Sequence, residues 1–245
     1  AARRRVYARE IIPRATSTSY TLNPLTTTQE LNAARNFYRG QKIPKHALKI
    51  MDVAAAELEN KAVASHALQA GDIAPDFILP DVNGRSVRLY SELERGPVVL
   101  VFYRGGWCPY CKIHLRGFQK SLALFNAAGA QVMVISPQLP DQSLITREKG
   151  KLAFPVLSDV GLNTARAFGV AFELPKALLK LYADCNHPLE KVNGAEGERE
   201  LPMPATFGIL PNRTMAFAHV EADYTRRSEP LEVLNLVREL ENVTA

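Results

Sequence analysis

The sequence predicts an α/β domain organised around a parallel pair of buried strands, preceded by a short helical extension. Three observations carry this. Pro97 to Tyr103 (PVVLVFY) is an unbroken β-branched and aromatic run, as expected of a central strand covered on both faces. A helical stretch follows from about Pro109 to Ala128, and then a second buried run, Gln131 to Ser136 (QVMVIS). A strand, a helix of this length and another strand make a βαβ unit, whose strands are parallel and whose crossover is right-handed.

The other elements fall around that unit. Thr28 is placed to cap a first helix through Leu31, Ala34 and Phe37, stopping at Gly40. Pro44 opens a second, with Leu48, Met51, Ala55, Leu58 and Ala62 on one apolar face, running to near Gly71. That face reads as a packing surface or as a dimerisation surface. Asp76 to Pro80 and Ser86 to Leu89 are short strands around the turn Asn83–Gly84. Asp141 to Lys151, Leu162 to Phe168 and Leu174 to Asp184 are helical, and Glu190 to Glu200 is polar enough to be an exposed loop. Thr206 to Leu210 and Thr214 to Val220 form a hairpin, and Pro230 to Leu240 is the last helix. The predicted organisation is an Arg-rich tail over 1–28, a helical extension over 29–70 and the α/β domain over 71–245.

Composition narrows the function classes. The chain has 245 residues, 47% hydrophobic and 22% charged, which is ordinary for a globular protein that needs no disulfide staples. Three cysteines do not make a secreted disulfide framework, so a reducing compartment is expected, the cytoplasm or an organelle such as the mitochondrion. No apolar run approaches the roughly 20 residues of a membrane helix. Of the net charge of +5, residues 1 to 28 hold +4 through Arg3, Arg4, Arg5, Arg9 and Arg14 against Glu10. The body is therefore nearly neutral, and nothing in it suggests nucleic-acid binding. The tail has the composition of an organellar transit segment, a partner-binding arm or a flexible terminus.

The chemistry sits in Phe102 to Cys111, FYRGGWCPYC. A Cys-x-x-Cys pair follows a buried strand and opens a helix. Unpaired N–H groups and the positive end of the helix dipole favour a thiolate there. Pro109 suits the first helical turn, Gly105 and Gly106 allow the tight approach, and Trp107 would cover the sulfurs. Arg104 supplies a positive charge near the sulfurs or makes a surface ion pair. His114, one turn on, is expected to be partly exposed, and Tyr224 to Ser228 a solvated loop. Two rival readings stand beside a redox pair: inert buried thiols, and a zinc site of Cys108, Cys111, Cys185 and His187.

Ile73–Ala74–Pro75–Asp76–Phe77, the PVVLVFY strand, VMVIS and the hairpin near Thr206 resemble the peroxiredoxin side of the thioredoxin-like superfamily, over about residues 68 to 242. FYRGGWCPYC is similar to the peroxiredoxin-like group of the alkyl hydroperoxide reductase and thiol-specific antioxidant type. The resemblance implies a thioredoxin-like fold, a central mixed sheet flanked by helices. It also places Cys108 where peroxiredoxins carry a Thr and Cys111 where they carry the peroxide-attacking Cys. The family's Arg, two residues before the Thr-Phe of the late strand, is replaced by Pro204. That proline resembles the cis-proline of thioredoxins, which implies a cis Met203–Pro204 bond facing the Cys pair. CPYC itself is the glutaredoxin motif.

The expectation is a thiol-dependent oxidoreductase with Cys108 and Cys111 as catalytic residues and Trp107, Pro204 and Arg104 in support. It would act on a peroxide or a disulfide, be restored by an external thiol of thioredoxin or glutathione type, and need no metal or other cofactor. Oxidation is expected to join Cys108 to Cys111 and leave Cys185 free. Helix-end electrostatics favour Cys108 as the lower-pKa nucleophile, whereas the resemblance favours Cys111. The rival from another class is a non-enzymatic thioredoxin-like subunit held in an assembly or homodimer through residues 1–70.

Overall fold

The computed structural model describes residues 26–244; the Arg-rich stretch 1–25 lies outside the described residues. The extension comprises α1 (Thr27–Phe37), a π-helical turn over Tyr38–Lys42 and α2 (Lys45–Asn60). Thr26 caps α1, not Thr28: its hydroxyl accepts from the Gln29 N–H while the Gln29 side chain accepts from the Thr26 N–H. Pro44 caps α2, as its position suggests, but α2 stops at Asn60, well short of Gly71.

In the domain a small hairpin, β1 (Ile78–Pro80) and β2 (Ser86–Arg88), leads through α3 (Leu89–Leu93) to the central strand β3 (Val98–Phe102). Then come α4 (Pro109–Ala127), β4 (Gln131–Ser136), α5 (Pro140–Gly150), β5 (Val156–Ser158) and α6 (Asn163–Ala167). A second small pair, β6 (Ala171–Glu173) and β7 (Glu200–Pro202), encloses α7 (Lys176–Asp184) and α8 (Leu189–Asn193). The chain closes with β8 (Ala205–Ile209), β9 (Met215–Val220) and α9 (Pro230–Thr244).

The main sheet runs β5-β4-β3-β8-β9, parallel from β5 to β3 and antiparallel from β3 to β9. The mixed sheet flanked by helices is therefore present, with β3 in the middle. Every residue of β3 is buried, and alternation along it divides the core. Val99 and Val101 face a cluster with Phe118 and Phe125 of α4, Val233 and Leu234 of α9, and Leu31 of α1. Val98, Leu100 and Phe102 face another with Leu89, Phe168 and Phe207. A third cluster joins Ala47 and Ala54 of α2 to Leu178 and Leu181 of α7, so the apolar face of α2 is a packing face within this chain.

Two further expectations are not met. The segment from Glu190 is not an exposed loop: it contains most of α8, and Asn193 and Gly197 are buried. The Met203–Pro204 bond is trans, since no cis bond occurs among the described residues. Met203 donates its N–H to Val170 and Pro204 accepts from the Glu221 N–H, so the two residues between β7 and β8 are tied to both sheets with the ordinary trans bond.

Candidate active site

The site forms where β3 hands over to α4. Tyr103 continues the ladder by donating to the Ile135 carbonyl, after which the chain turns through Arg104–Gly105–Gly106–Trp107. Gly105 has φ +149, and a Cβ there would collide with the Trp107 indole. The turn closes when the Cys108 N–H bonds to the Gly105 carbonyl at 3.1 Å. Cys108 is the N-cap of α4, Pro109 occupies its first position, and the Cys108 carbonyl accepts the Lys112 N–H at 3.1 Å. Cys111 therefore lies inside the first turn. Both sulfurs are unbridged and buried, Cys108 at 2% exposure and Cys111 at 0%.

Their electrostatics differ in direction. Arg227, from the loop before α9, reaches back to donate from Nη2 to Cys111 Sγ at 3.4 Å. Burial pushes the Cys111 thiol up, but the Cys108 thiol, the Arg227 charge and the Arg104 backbone N–H all favour its anion, and it lies well below an ordinary thiol. Cys108 is raised well above, because its proton is held in the bond to Cys111, it is desolvated, and it faces a neighbouring anion. This direction runs against the expectation that Cys108 is the more acidic sulfur. Its place at the helix mouth is outweighed by a buried guanidinium that only Cys111 touches.

Arg227 is itself held in place. Ser228 Oγ lies 2.8 Å from Thr206 Oγ1 on β8, and the Ser228 carbonyl is 3.1 Å from His114 Nε2. Because a carbonyl only accepts, Nε2 carries the proton. Burial and the Arg227 charge lower the His114 pKa well below its usual value, so it is neutral. His114 is thus buried, not partly exposed, and Tyr224 to Ser228 is a structural loop in which Thr225, Arg227 and Ser228 are buried. Sequence reasoning missed Arg227 because it sought the cation at Pro204.

Arg104 is the second buried cation, at 3% exposure, and makes no surface ion pair. Its guanidinium lies 4.8 Å from the Tyr224 ring, 5.3 Å from Trp107 and 5.6 Å from Tyr182, and it donates to the Tyr182 hydroxyl. Desolvation opposes its charge, but Tyr182 and the two cysteines more than restore it. Trp107 is half-buried and packs on Tyr182 and His187. Pro204 shares a small apolar pocket with Arg104, Tyr224, Met51 and Ala54. Cys185 is exposed at the end of α7. Among the described residues no three of His, Cys, Asp and Glu gather to hold a metal, so the zinc set does not assemble.

This arrangement favours the anion at Cys111 and the thiol at Cys108, with two guanidinium charges beside them. It is suited to nucleophilic attack on a bond that leaves an oxyanion.

The model of the AhpC/TSA family matches residues 70–218, more than half of the chain. Peroxiredoxin Bcp of Escherichia coli (strain K12) is 32% identical over 133 residues, covering 54% of this chain and 83% of that protein. The protein "Peroxiredoxin Q, chloroplastic" of Triticum aestivum is 27% identical over 164 residues, covering 67% and 74%. The crystal structure of peroxidoxin BcpB from Mycobacterium tuberculosis superposes with a TM-score of 0.56 at 24% identity, covering 71% of this chain and 98% of that one. It shares the fold.

Proposed function

This chain belongs to the AhpC/TSA family, and from that premise we propose that it is a thiol peroxidase in which Cys111 attacks the peroxide and Cys108 resolves the product. The observation that carries the assignment is the Arg227 Nη2 to Cys111 Sγ contact at 3.4 Å. It supplies the cation that the sequence lacks at Pro204.

The Cys111 thiolate attacks the terminal oxygen of a hydroperoxide. The S–O bond forms, the O–O bond breaks, and the leaving alkoxide takes the proton of the Cys108 thiol. The products are a Cys111 sulfenic acid, an alcohol and a Cys108 thiolate. That thiolate attacks Cys111 Sγ, forming the Cys108–Cys111 disulfide and releasing hydroxide, which is protonated to water. Arg227 and Arg104 stabilise charge on sulfur and on the leaving oxygen in a water-poor site. Two equivalents of external thiol, or one dithiol, then reduce the disulfide. The second reading, disulfide reduction led by Cys108, is less well supported, because Cys108 is held as a buried thiol. Free cysteines suit a reducing compartment, and no described helix is long and apolar enough to cross a membrane. Residues 29–70 act here as a cover for the site.

Single-turnover peroxide consumption in the two serine variants tests the assignment. Cys108→Ser should consume about one equivalent and stop as a sulfenic acid that dimedone traps. Cys111→Ser should consume none. The reverse pattern sinks the reading.

A further inference from the structure

A cleft of about 400 Å³ opens between α4 and α5, beside the turn that leads to Cys108. Gly106 and Trp107, the two residues before Cys108, form its inner wall. Leu115, Ile145 and Leu152 give it an apolar floor, and Lys112, Arg116 and Lys149 stand on its rim. All three cations are exposed, and none is in an ion pair among the described residues. No Asp or Glu lines the cleft. The lining residues therefore carry a net positive charge.

Gln138 gives the cleft a second specific feature. It is 3% exposed, and its Oε1 accepts from the Gly106 N–H at 2.7 Å and from the Thr146 hydroxyl at 3.1 Å. Because both partners donate, the oxygen is fixed at that end. The amide nitrogen has no partner among the described residues, although Gln138 lines the cleft. The nitrogen is not among the fully buried unpaired atoms, so it opens to the cleft as a donor that a ligand could take up from water. The Gly106 N–H bond also couples the cleft wall to the turn that sets Cys108.

We propose that this cleft binds the reductant, and that the reductant is a low-molecular-weight thiol carrying carboxylates. The inference rests on the peroxidase reading. The volume falls in the range of roughly 300–1,000 Å³ that encloses small organic ligands. A carboxylate meets Lys112, Arg116 and Lys149, an acceptor meets the Gln138 amide, and an apolar stem lies on Leu115 and Ile145. The position fits the chemistry of the last step. In the Cys108–Cys111 disulfide, Cys111 is the better leaving group because its anion is held by Arg227, so an incoming thiolate attacks Cys108 Sγ. The new S–S bond joins the small thiol to Cys108, and the Cys111 thiolate leaves. A second small thiolate attacks the sulfur of the first. It releases the small-molecule disulfide and a Cys108 thiolate, which takes a proton. Two thiols lose two electrons and the protein disulfide gains them.

Trp107 is the chain's single tryptophan, so its fluorescence reports the cleft. The probe is S-methylglutathione, which has the carboxylates but cannot exchange. It should change the emission saturably. The combined variant Lys112→Glu, Arg116→Glu, Lys149→Glu should weaken that binding about tenfold, as expected for three exposed charges of modest individual worth. In turnover, the KM for glutathione should rise about tenfold more than the KM for uncharged dithiothreitol, and the cationic thiol cysteamine should improve relative to both. No saturable change in the wild type, or equal binding by the variant, overturns the proposal. So does an equal effect on glutathione and dithiothreitol, or a loss confined to a carboxylated hydroperoxide or to reduced thioredoxin. A wild type that consumes no peroxide even with dithiothreitol refutes the peroxidase reading instead, while the S-methylglutathione titration still decides the cleft.

Discussion

The two flanks of the thiol pair are built on opposite plans. On the extension side, Tyr38 packs on Tyr110 at 6.1 Å and Tyr110 on Tyr224 at 5.7 Å, and the Tyr224 hydroxyl donates to Met51 Sδ at 3.7 Å. That wall is aromatic and closed, and Arg227 and Arg104 are confined behind it. On the α4–α5 side the wall is an open cleft rimmed with unpaired cations. The difference teaches that burial and charge are used separately. Desolvated guanidinium groups act on sulfur at short range, where the dielectric is low, whereas solvated cations act on whatever approaches from water, where they steer and salt screens them. Each prediction below removes one element of this contrast.

The largest effect is expected at Arg227. Arg227→Met keeps the volume and removes the charge, and should lower the rate of peroxide reduction by about 10²–10³, the scale seen when one oriented electrostatic donor is lost. The pH profile shows the cause. Cys111 is an acid whose folded pKa is depressed. The stability that ionisation confers is full above the ordinary thiol pKa and lost as pH falls through the depressed value, while the thiolate and the peroxide rate persist down to that depressed value. In Arg227→Met the loss should begin at a higher pH, read as thiolate absorbance near 240 nm. An unchanged midpoint would mean that Arg227 is structural only.

This residue also marks the limit of what the sequence conveys. β3, α4 and β4 are legible because long apolar runs and helical spacing are properties of contiguous residues. The placement of the Cys pair follows directly from them. β5, β6 and β7 have three residues each, too few for a periodic signal. The contact between Arg227 and Cys111 spans 116 residues of sequence, and it exists because the loop after β9 passes over the start of α4. Nothing local in Thr225–Arg226–Arg227–Ser228 distinguishes the buried arginine from its exposed neighbour. His114 is similar: its burial depends on Ser228 and Thr206 arriving from elsewhere. That α2 has an apolar face was legible, but the residues it buries are Ala47 and Ala54, beside those read from the spacing, and α7 as its partner was not legible.

The next effect tests the closed flank. Ala54 of α2 is buried against α7 and borders the pocket that holds Arg104 and Pro204. Ala54→Glu places an unpaired carboxylate there, at roughly 2–3 kcal/mol, and should loosen α2. Denaturant unfolding should show the loss, and a neutral alkylating agent should reach the cysteines faster. If stability falls but alkylation does not accelerate, α2 is not the cover. A smaller loss belongs to Gly105→Ala. Left-handed backbone strain and collision with the Trp107 ring should remove about 1–2 kcal/mol and shift the tryptophan emission, because the indole must move toward the cleft.

The smallest effect is expected where the closed flank is tied by charge rather than by packing. Arg35 of α1 pairs with Asp223 at 3.5 Å, just before the loop that carries Arg227. Arg35 is 40% exposed and Asp223 17%, so water screens the pair and its side chains keep entropy when it breaks. Arg35→Ala should therefore change stability by about 0.5 kcal/mol or less, and the change should vanish in high salt. The Cys111 thiolate midpoint should stay where it is, because Arg227 donates to the carbonyls of Tyr224 and Arg226, and its neighbour Ser228 is fixed by Thr206 and His114, none of them in α1. A shift of that midpoint in Arg35→Ala would show that the extension positions Arg227 electrostatically, and the separation between a packed cover and a charged site would fail at this point.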